Sequence, residues 1–82
     1  MSLEDLRAAT RKTIGTKQTR KALERDEVAV LYVARDAEDH IIEPVVELGV
    51  EQGVEMTFAD TMTKLGKACG ISVGAAVAAI LR

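Results

Sequence analysis

Along the chain, stretches with helical spacing of apolar residues alternate with short stretches of strand character. Ser2 stands where a helix cap is needed, and Asp5, three residues on, supplies the capping-box partner. Leu3, Leu6 and Thr10 give this first helix a narrow inward stripe. Thr13-Ile14 predicts a very short strand, followed by a second helix over residues 16–25 with Thr16 as its cap and Ala22 and Leu23 on its core face. Val28-Ala-Val-Leu-Tyr-Val-Ala34 is continuously apolar and β-branched, which predicts a central strand buried on both faces. A polar loop from Arg35 to Asp39 ends it. Pro44 suits the first turn of a third helix, continued by Val45, Val46, Leu48 and Val50 and stopped at Gly53. Glu55–Ala59 alternates as a strand with Met56 and Phe58 on one face. Asp60 is expected to cap a fourth helix, in which Met62, Leu65, Gly66 and Cys69 share a stripe and Gly70 is the stop. Ile71–Gly74 reads as a loop, and Ala75–Leu81 as a last strand whose small residues let helices approach closely.

Strands that alternate with helices predict an α/β fold: a three-layer α/β/α sandwich with a central sheet of about four strands. At 82 residues the chain is expected to form a single domain spanning 1–82, with no internal repeat or linker. A content of 48% hydrophobic and 29% charged residues fits a soluble globular protein rather than a disordered one. The single cysteine excludes an internal disulfide and fits a reducing compartment. No apolar run is long enough to span a bilayer, and the start Met-Ser-Leu-Glu-Asp lacks the basic and apolar regions of a signal peptide. A cytoplasmic location without membrane contact is the resulting expectation.

Charge changes the picture through its distribution. The net charge is −2, which by itself argues against a nucleic-acid partner. Residues 1–25, however, carry seven Lys/Arg against three Asp/Glu, residues 26–62 one Arg against ten acids, and residues 63–82 three Lys/Arg and no acid. If the chain ends meet in the fold, one basic face opposes one acidic face, and a local basic patch can hold phosphates.

The stretch Gly15-Thr16-Lys17-Gln18-Thr19-Arg20-Lys21 concentrates the candidate chemistry. Gly15 permits a sharp turn or a close approach. The helix start beyond it presents free N–H groups and partial positive charge, a seat for phosphate. Lys17 and Lys21 share a helix face, and Gln18 offers both a donor and an acceptor for a base edge. The plain alternative is a solvated basic helix end. A second basic stretch, Lys64 and Lys67, precedes the loop Ile71–Val73, which is either an exposed apolar loop beside cations or a buried one. Catalytic groupings are scarce. His40 lies among acids as a surface residue, and Cys69 sits on an apolar stripe as a structural thiol. Gly66-Lys67 lacks the earlier glycine of a P-loop, and the acids show no metal-ligand spacing. Aromatic content is 2%, from Tyr32 and Phe58, both expected in the core, so no aromatic stacking surface is predicted.

Taken together, Gly15-Thr-Lys-Gln-Thr-x-Lys21, the strand Val28–Ala34 followed by Asp36, Leu65-Gly-Lys-Ala-Cys-Gly70 and Val77-Ala-Ala-Ile80 resemble the kink-turn RNA-binding ribosomal protein family typified by archaeal L-seven-Ae. The resemblance covers nearly the whole chain and implies the same α/β/α sandwich. It also implies binding to kink-turns, internal loops in which tandem sheared G·A pairs and a bulge bend an RNA helix. By that resemblance Gly15, Thr16, Lys17, Gln18 and Lys21 dock at the G·A pairs, with Asp36 near the site. Lys67 matches the basic residue of the family's Leu-Gly-Lys-Ala motif, and Ile71, Ser72, Val73 and Gly74 cover the unstacked bulge. Archaeal members carry Asn and Glu where this chain has Lys17 and Gln18, and the loop Ile-Ser-Val-Gly replaces a Ser-Arg-Pro type.

The expectation is therefore a non-enzymatic, monomeric RNA-binding protein without metal or cofactor. Its partner would be structured RNA containing a kink-turn, ribosomal RNA included, rather than DNA. A protein-interaction module on the same fold, and a small enzyme whose pocket both His40 and Cys69 line, are the two rivals.

Overall fold

The computed structural model describes every residue from Met1 to Arg82. Strands β1 (Lys12–Ile14), β2 (Val28–Ala34), β3 (Glu55–Ala59) and β4 (Val77–Leu81) form one mixed sheet in the order β1-β4-β2-β3. β2 and β3 are parallel and joined through helix α3 (Asp39–Gln52), while β4 runs antiparallel to both β1 and β2. Helices α1 (Leu3–Ala8) and α4 (Met62–Cys69) cover one face of the sheet, and α2 (Thr16–Glu24) and α3 cover the other. The result is the three-layer α/β/α sandwich that the alternation predicts.

The layers follow from side-chain alternation on β2. Val30, Tyr32 and Ala34 face α1 and α4, while Leu31 and Val33 face α2 and α3. Both sets are buried, which is why the strand reads as one apolar run rather than as an alternating one. β4 places an alanine in each layer at its centre, Ala78 on one side and Ala79 on the other, flanked by Val77, Ile80 and Leu81. Such small side chains let helices on both faces sit close to the sheet.

Several element ends differ from the sequence expectation. α1 ends at Ala8, so Thr10 lies beyond it and is exposed. Its N-terminus forms the expected capping box, with the Ser2 hydroxyl accepting from the Asp5 N–H and the Asp5 carboxylate accepting from the Ser2 N–H at 2.8 Å. The Ser2 N–H and hydroxyl together hold the Asp5 carboxyl below its ordinary pKa. α3 begins at Asp39, five residues before Pro44, so Pro44 lies inside the helix and His40 in its first turn. Proline removes the N–H that would have bonded the His40 carbonyl, and its ring crowds that carbonyl. Both residues are exposed, so the freed carbonyl lies on the solvent side of the helix, while Ile42 and Val45 hold this turn against the sheet. The last strand starts at Val77, because Ala75 is turned to donate its N–H to the Met62 carbonyl at 3.0 Å. Phe58 is 46% exposed, contrary to a core position: β3 is an edge strand, and its neighbour over the ring is the Arg35 guanidinium, 5.0 Å from the centroid.

Tyr32 ties α1 to the sheet. Its ring is fully buried and its hydroxyl donates to the Ser2 carbonyl at 2.8 Å. Burial, with help from the Asp5 and Glu55 carboxylates, pushes its pKa from 10.0 up to about 12. A raised folded-state pKa means that the neutral phenol's contribution to stability is complete below pH 10.0 and is lost as pH rises toward about 12. Tyr32 is the chain's one tyrosine and tryptophan is absent, so phenolate absorbance reports it alone. In the folded protein the phenolate should appear only as pH nears about 12 and together with loss of structure, whereas in denaturant it should titrate near 10.0. Titration near 10.0 in the native state would place the hydroxyl in water.

Gly66 serves a close approach. A Cβ on this residue would stand 2.0 Å from the Val73 carbonyl oxygen, so the segment after α4 lies directly on the helix backbone. Gly66→Ala should therefore displace the loop or α4 and destabilise the protein by about 1–3 kcal/mol, as overpacking does. The check is a denaturant melt, read as a lower midpoint at unchanged slope.

Candidate functional site

The sheet register gathers one set of chain ends at one edge. Ile14 at the end of β1 pairs with Ala78, and Val33 near the end of β2 pairs with Val77 at the start of β4. Ala34 and Ala59 pair at the ends of β2 and β3. Gly15, Asp36, Thr61 and the loop 71–74 thus all emerge at that edge, although sequence separates them by up to 59 residues.

At the first position, α2 starts on Gly15 itself, with Thr16 as the first helical residue rather than the cap. Gly15 has φ +91°, a conformation that favours glycine. Its N–H donates to the Val77 carbonyl at 2.9 Å, which fixes the helix start to β4. No side chain caps the helix, so its first turn keeps its outward N–H groups and partial positive charge for solvent or a ligand. No atom lies within 4 Å of where a Gly15 Cβ would stand, so the space in front of this turn is open. Lys17, Arg20 and Lys21 are exposed on α2 and, with Thr16 and Glu24, line a shallow depression. Gln18 is exposed, and its side-chain oxygen accepts from the Ile14 N–H at 3.4 Å, which leaves its NH2 group as the outward donor. Beneath, the hydroxyls of Thr13 and Thr19 meet at 2.9 Å, with Thr19 fully buried. That bond locks α2 to β1.

Asp36 and the loop close the other side of the edge. The Asp36 carboxylate accepts from the Met62 N–H at 2.8 Å, the first amide of α4. Thr61, not Asp60, is the cap: its hydroxyl accepts from the Lys64 N–H at 3.1 Å, and Asp60 pairs with the Lys64 ammonium at 3.5 Å instead. Two oxygens from different elements therefore hold the start of α4. Ile71 is half-buried against the α1–α4 core, whereas Ser72, Val73 and Gly74 are exposed, Val73 by 68%. The loop is thus apolar, strapped at its base and open at its tip.

A model of the "Ribosomal protein L7Ae/L30e/S12e/Gadd45 family" matches residues 2–82. The chain belongs to that family. The RNA-binding protein YbxF of Geobacillus stearothermophilus is 50% identical over 82 residues, covering 100% of both chains. The large ribosomal subunit protein eL8 of Halobacterium salinarum is 40% identical over 68 residues, 82% of this chain and 57% of that one. Among solved structures, the 15.5kD RNA binding protein of Giardia lamblia superposes with a TM-score of 0.84 at 23% identity, covering 98% of this chain and 68% of that one, a likeness of fold.

On this L7Ae-type frame the remaining candidates divide between layers. Lys67 stands on α4 and faces α1, lining a groove with Leu3, Glu4, Arg7, Lys64 and Ala68, on the opposite face of the sheet from Lys17 and Lys21. The chain ends do meet, through β1 and β4, but the cations do not form the single basic face that charge segregation suggests. Basic α2 lies beside acidic α3 on one face, and Arg7, Lys64 and Lys67 lie on the other. His40 is exposed on α3, 3.3 Å from Glu38, while Cys69 is buried under α4 with its pKa pushed up by burial, against a smaller opposing effect of Lys12. The two lie on opposite faces, so no one pocket is lined by both.

The Asp36 bond was not legible in sequence, because its partner is an amide 26 residues away. The Thr61 cap was legible only as a choice between two neighbours, since Asp60 and Thr61 are both favoured cap residues and only the structure shows Thr61 accepting from Lys64. Asp36→Ala should lower stability by about 1 kcal/mol, the usual cost of a lost helix-start bond, and Asp36→Asn by less, since its amide oxygen can still accept. Equal stability of the Asp36→Ala and native proteins in urea would show that Thr61 alone secures α4.

Proposed function

We propose that this chain is a non-catalytic RNA-binding protein that recognises and stabilises a kink-turn in ribosomal or other structured RNA, acting in the cytoplasm as a monomer with residues 1–82 as a single domain. The observation that carries the reading is the convergence, at one sheet edge, of an uncapped basic helix start and an exposed apolar loop tip. Such a pair suits an RNA that is bent. An intact A-form major groove is too deep and narrow for side chains, so a helix start reaches base edges only where a kink opens it. Gly15 and Thr16 let the backbone approach, Lys17 and Lys21 neutralise phosphates, and the outward NH2 of Gln18 donates to a base edge. Asp36 acts by fixing the start of α4, and with it the strap 71–74. The tip at Val73 covers bases that the kink has unstacked, flanked by Ile71, Ser72 and Gly74. Lys67 adds positive charge from the α4 side. The names of the relatives, an RNA-binding protein and a ribosomal protein, support the same reading.

Lysines attract any RNA, so the choice of a kinked one rests on Gln18 and Val73. Val73→Asp should weaken binding to a kink-turn far more than to a plain duplex of equal length, because the carboxylate is pushed toward bases and phosphates. Its stability should stay within about 0.5 kcal/mol, as Val73 is exposed. The measurement is a paired titration at one fixed salt concentration. Equal losses on both RNAs would remove the loop from recognition, and equal native affinity for both would remove the kink-turn from the function.

A further inference from the structure

We propose that the groove between α1 and α4 is a second phosphate-binding surface, which holds the backbone of an RNA arm leaving the sheet-edge site; this rests on the RNA-binding reading above. The groove is lined by Leu3, Glu4, Arg7, Lys64, Lys67 and Ala68. Three cations thus face one carboxylate in a chain whose net charge is −2. Arg7 and Lys67 are exposed and make no ion pair. Lys64 is paired only with Asp60, and that exchange with a phosphate costs little because both side chains are exposed. At the end of α1, the Lys12 ammonium donates to the carbonyls of Leu6 and Arg7 at 3.2 and 3.3 Å, so a further positive charge is fixed beside the groove.

The chemistry selects a chain of charges over a compact anion. The cations are spread along the groove on long side chains, and the lining between them, Leu3 and Ala68, offers no donor that could converge on one small ion. Three cations spaced along the groove match successive phosphates of a backbone rather than the edge of one base, so the contact is to backbone and independent of sequence. Position supplies the continuity. α4 starts at the sheet edge, where its first amide is held by Asp36 and the Met62 carbonyl accepts from Ala75. Lys64 lies within the first turn and Lys67 about 4.5 Å further along the axis. A strand that passes Val73 at the edge and then follows α4 meets Lys64 before Lys67, with Arg7 lining the same groove.

The test uses three RNAs that share one kink-turn: a minimal form, and two forms in which one arm or the other is lengthened by a helical turn. Affinity is measured across salt concentrations for the native, Arg7→Ala/Lys64→Ala and Lys17→Ala proteins. On one lengthened RNA the double variant should flatten the slope of log K against log salt by about two units, and on the minimal RNA by none. Lys17→Ala should flatten it by about one unit on all three. A double variant with native slopes on both lengthened RNAs overturns the groove and leaves the sheet-edge reading intact. An equal effect on the minimal RNA also overturns it, since the cations would then act at the kink itself. Absence of salt-sensitive binding by the native protein overturns both readings. Loss of polyglutamate binding in the double variant, with RNA slopes unchanged, would assign the groove to an acidic protein and overturn the RNA proposal.

Discussion

Insertion of β4 between β1 and β2 is the constraint on which the molecule depends. The last strand of the chain occupies an interior position of the sheet and bonds the first strand on one side and the most buried strand on the other. Until it docks, β1 has no partner, the Gly15 amide has no Val77 carbonyl, and the edge carrying α2 and the loop 71–74 does not exist. These are pairings of high sequence separation, whose closure entropy must be met before they stabilise anything. The alanines of β4 make the insertion sterically possible, since larger side chains would hold helices away on both faces. The same small residues contribute little burial of their own, so the larger side chains of β2 and of the helices must supply most of it.

Charge placement follows from this topology. α2 and α3 share a face, so a basic helix, with Lys17, Arg20 and Lys21 exposed along it, lies against an acidic one. An anion approaching elsewhere on that face meets Glu43, Glu47 and Glu51. On the opposite face, α1 and α4 place Arg7, Lys64 and Lys67 around one groove. A net charge of −2 therefore coexists with two local positive surfaces, and the acidic remainder limits indiscriminate binding of polyanions.

Rigidity at the edge comes from short-range devices that tie different elements. Asp36 bonds α4, the hydroxyls of Thr13 and Thr19 bond β1 to α2, and the backbone of Gly66 admits the Val73 carbonyl. Each places a polar or exposed group where packing alone would leave it free to move. The Arg35 guanidinium lies over Phe58 on the edge strand β3 and covers part of a ring that stays 46% exposed there.

The sequence alone determined the elements, because they depend on local patterns. The apolar run of β2, the capping box at Ser2 and Asp5, the helical stripe through Leu65, Gly66 and Cys69, and the glycines that stop α3 and α4 all act within a few residues of one another. It determined the basic helix start for the same reason. Helix boundaries were less legible: α3 begins ahead of Pro44 because Ile42 and Val45 pack on the sheet, a tertiary contact that outweighs one missing bond. Phe58 was misplaced because strand alternation gives a face but not whether the strand lies at an edge. Only the tertiary structure decided that Gly15, Asp36 and Val73 share an edge while Lys67 faces another layer. Those relations depend on strand order and register, and residues that meet across strands leave no periodic trace in the chain.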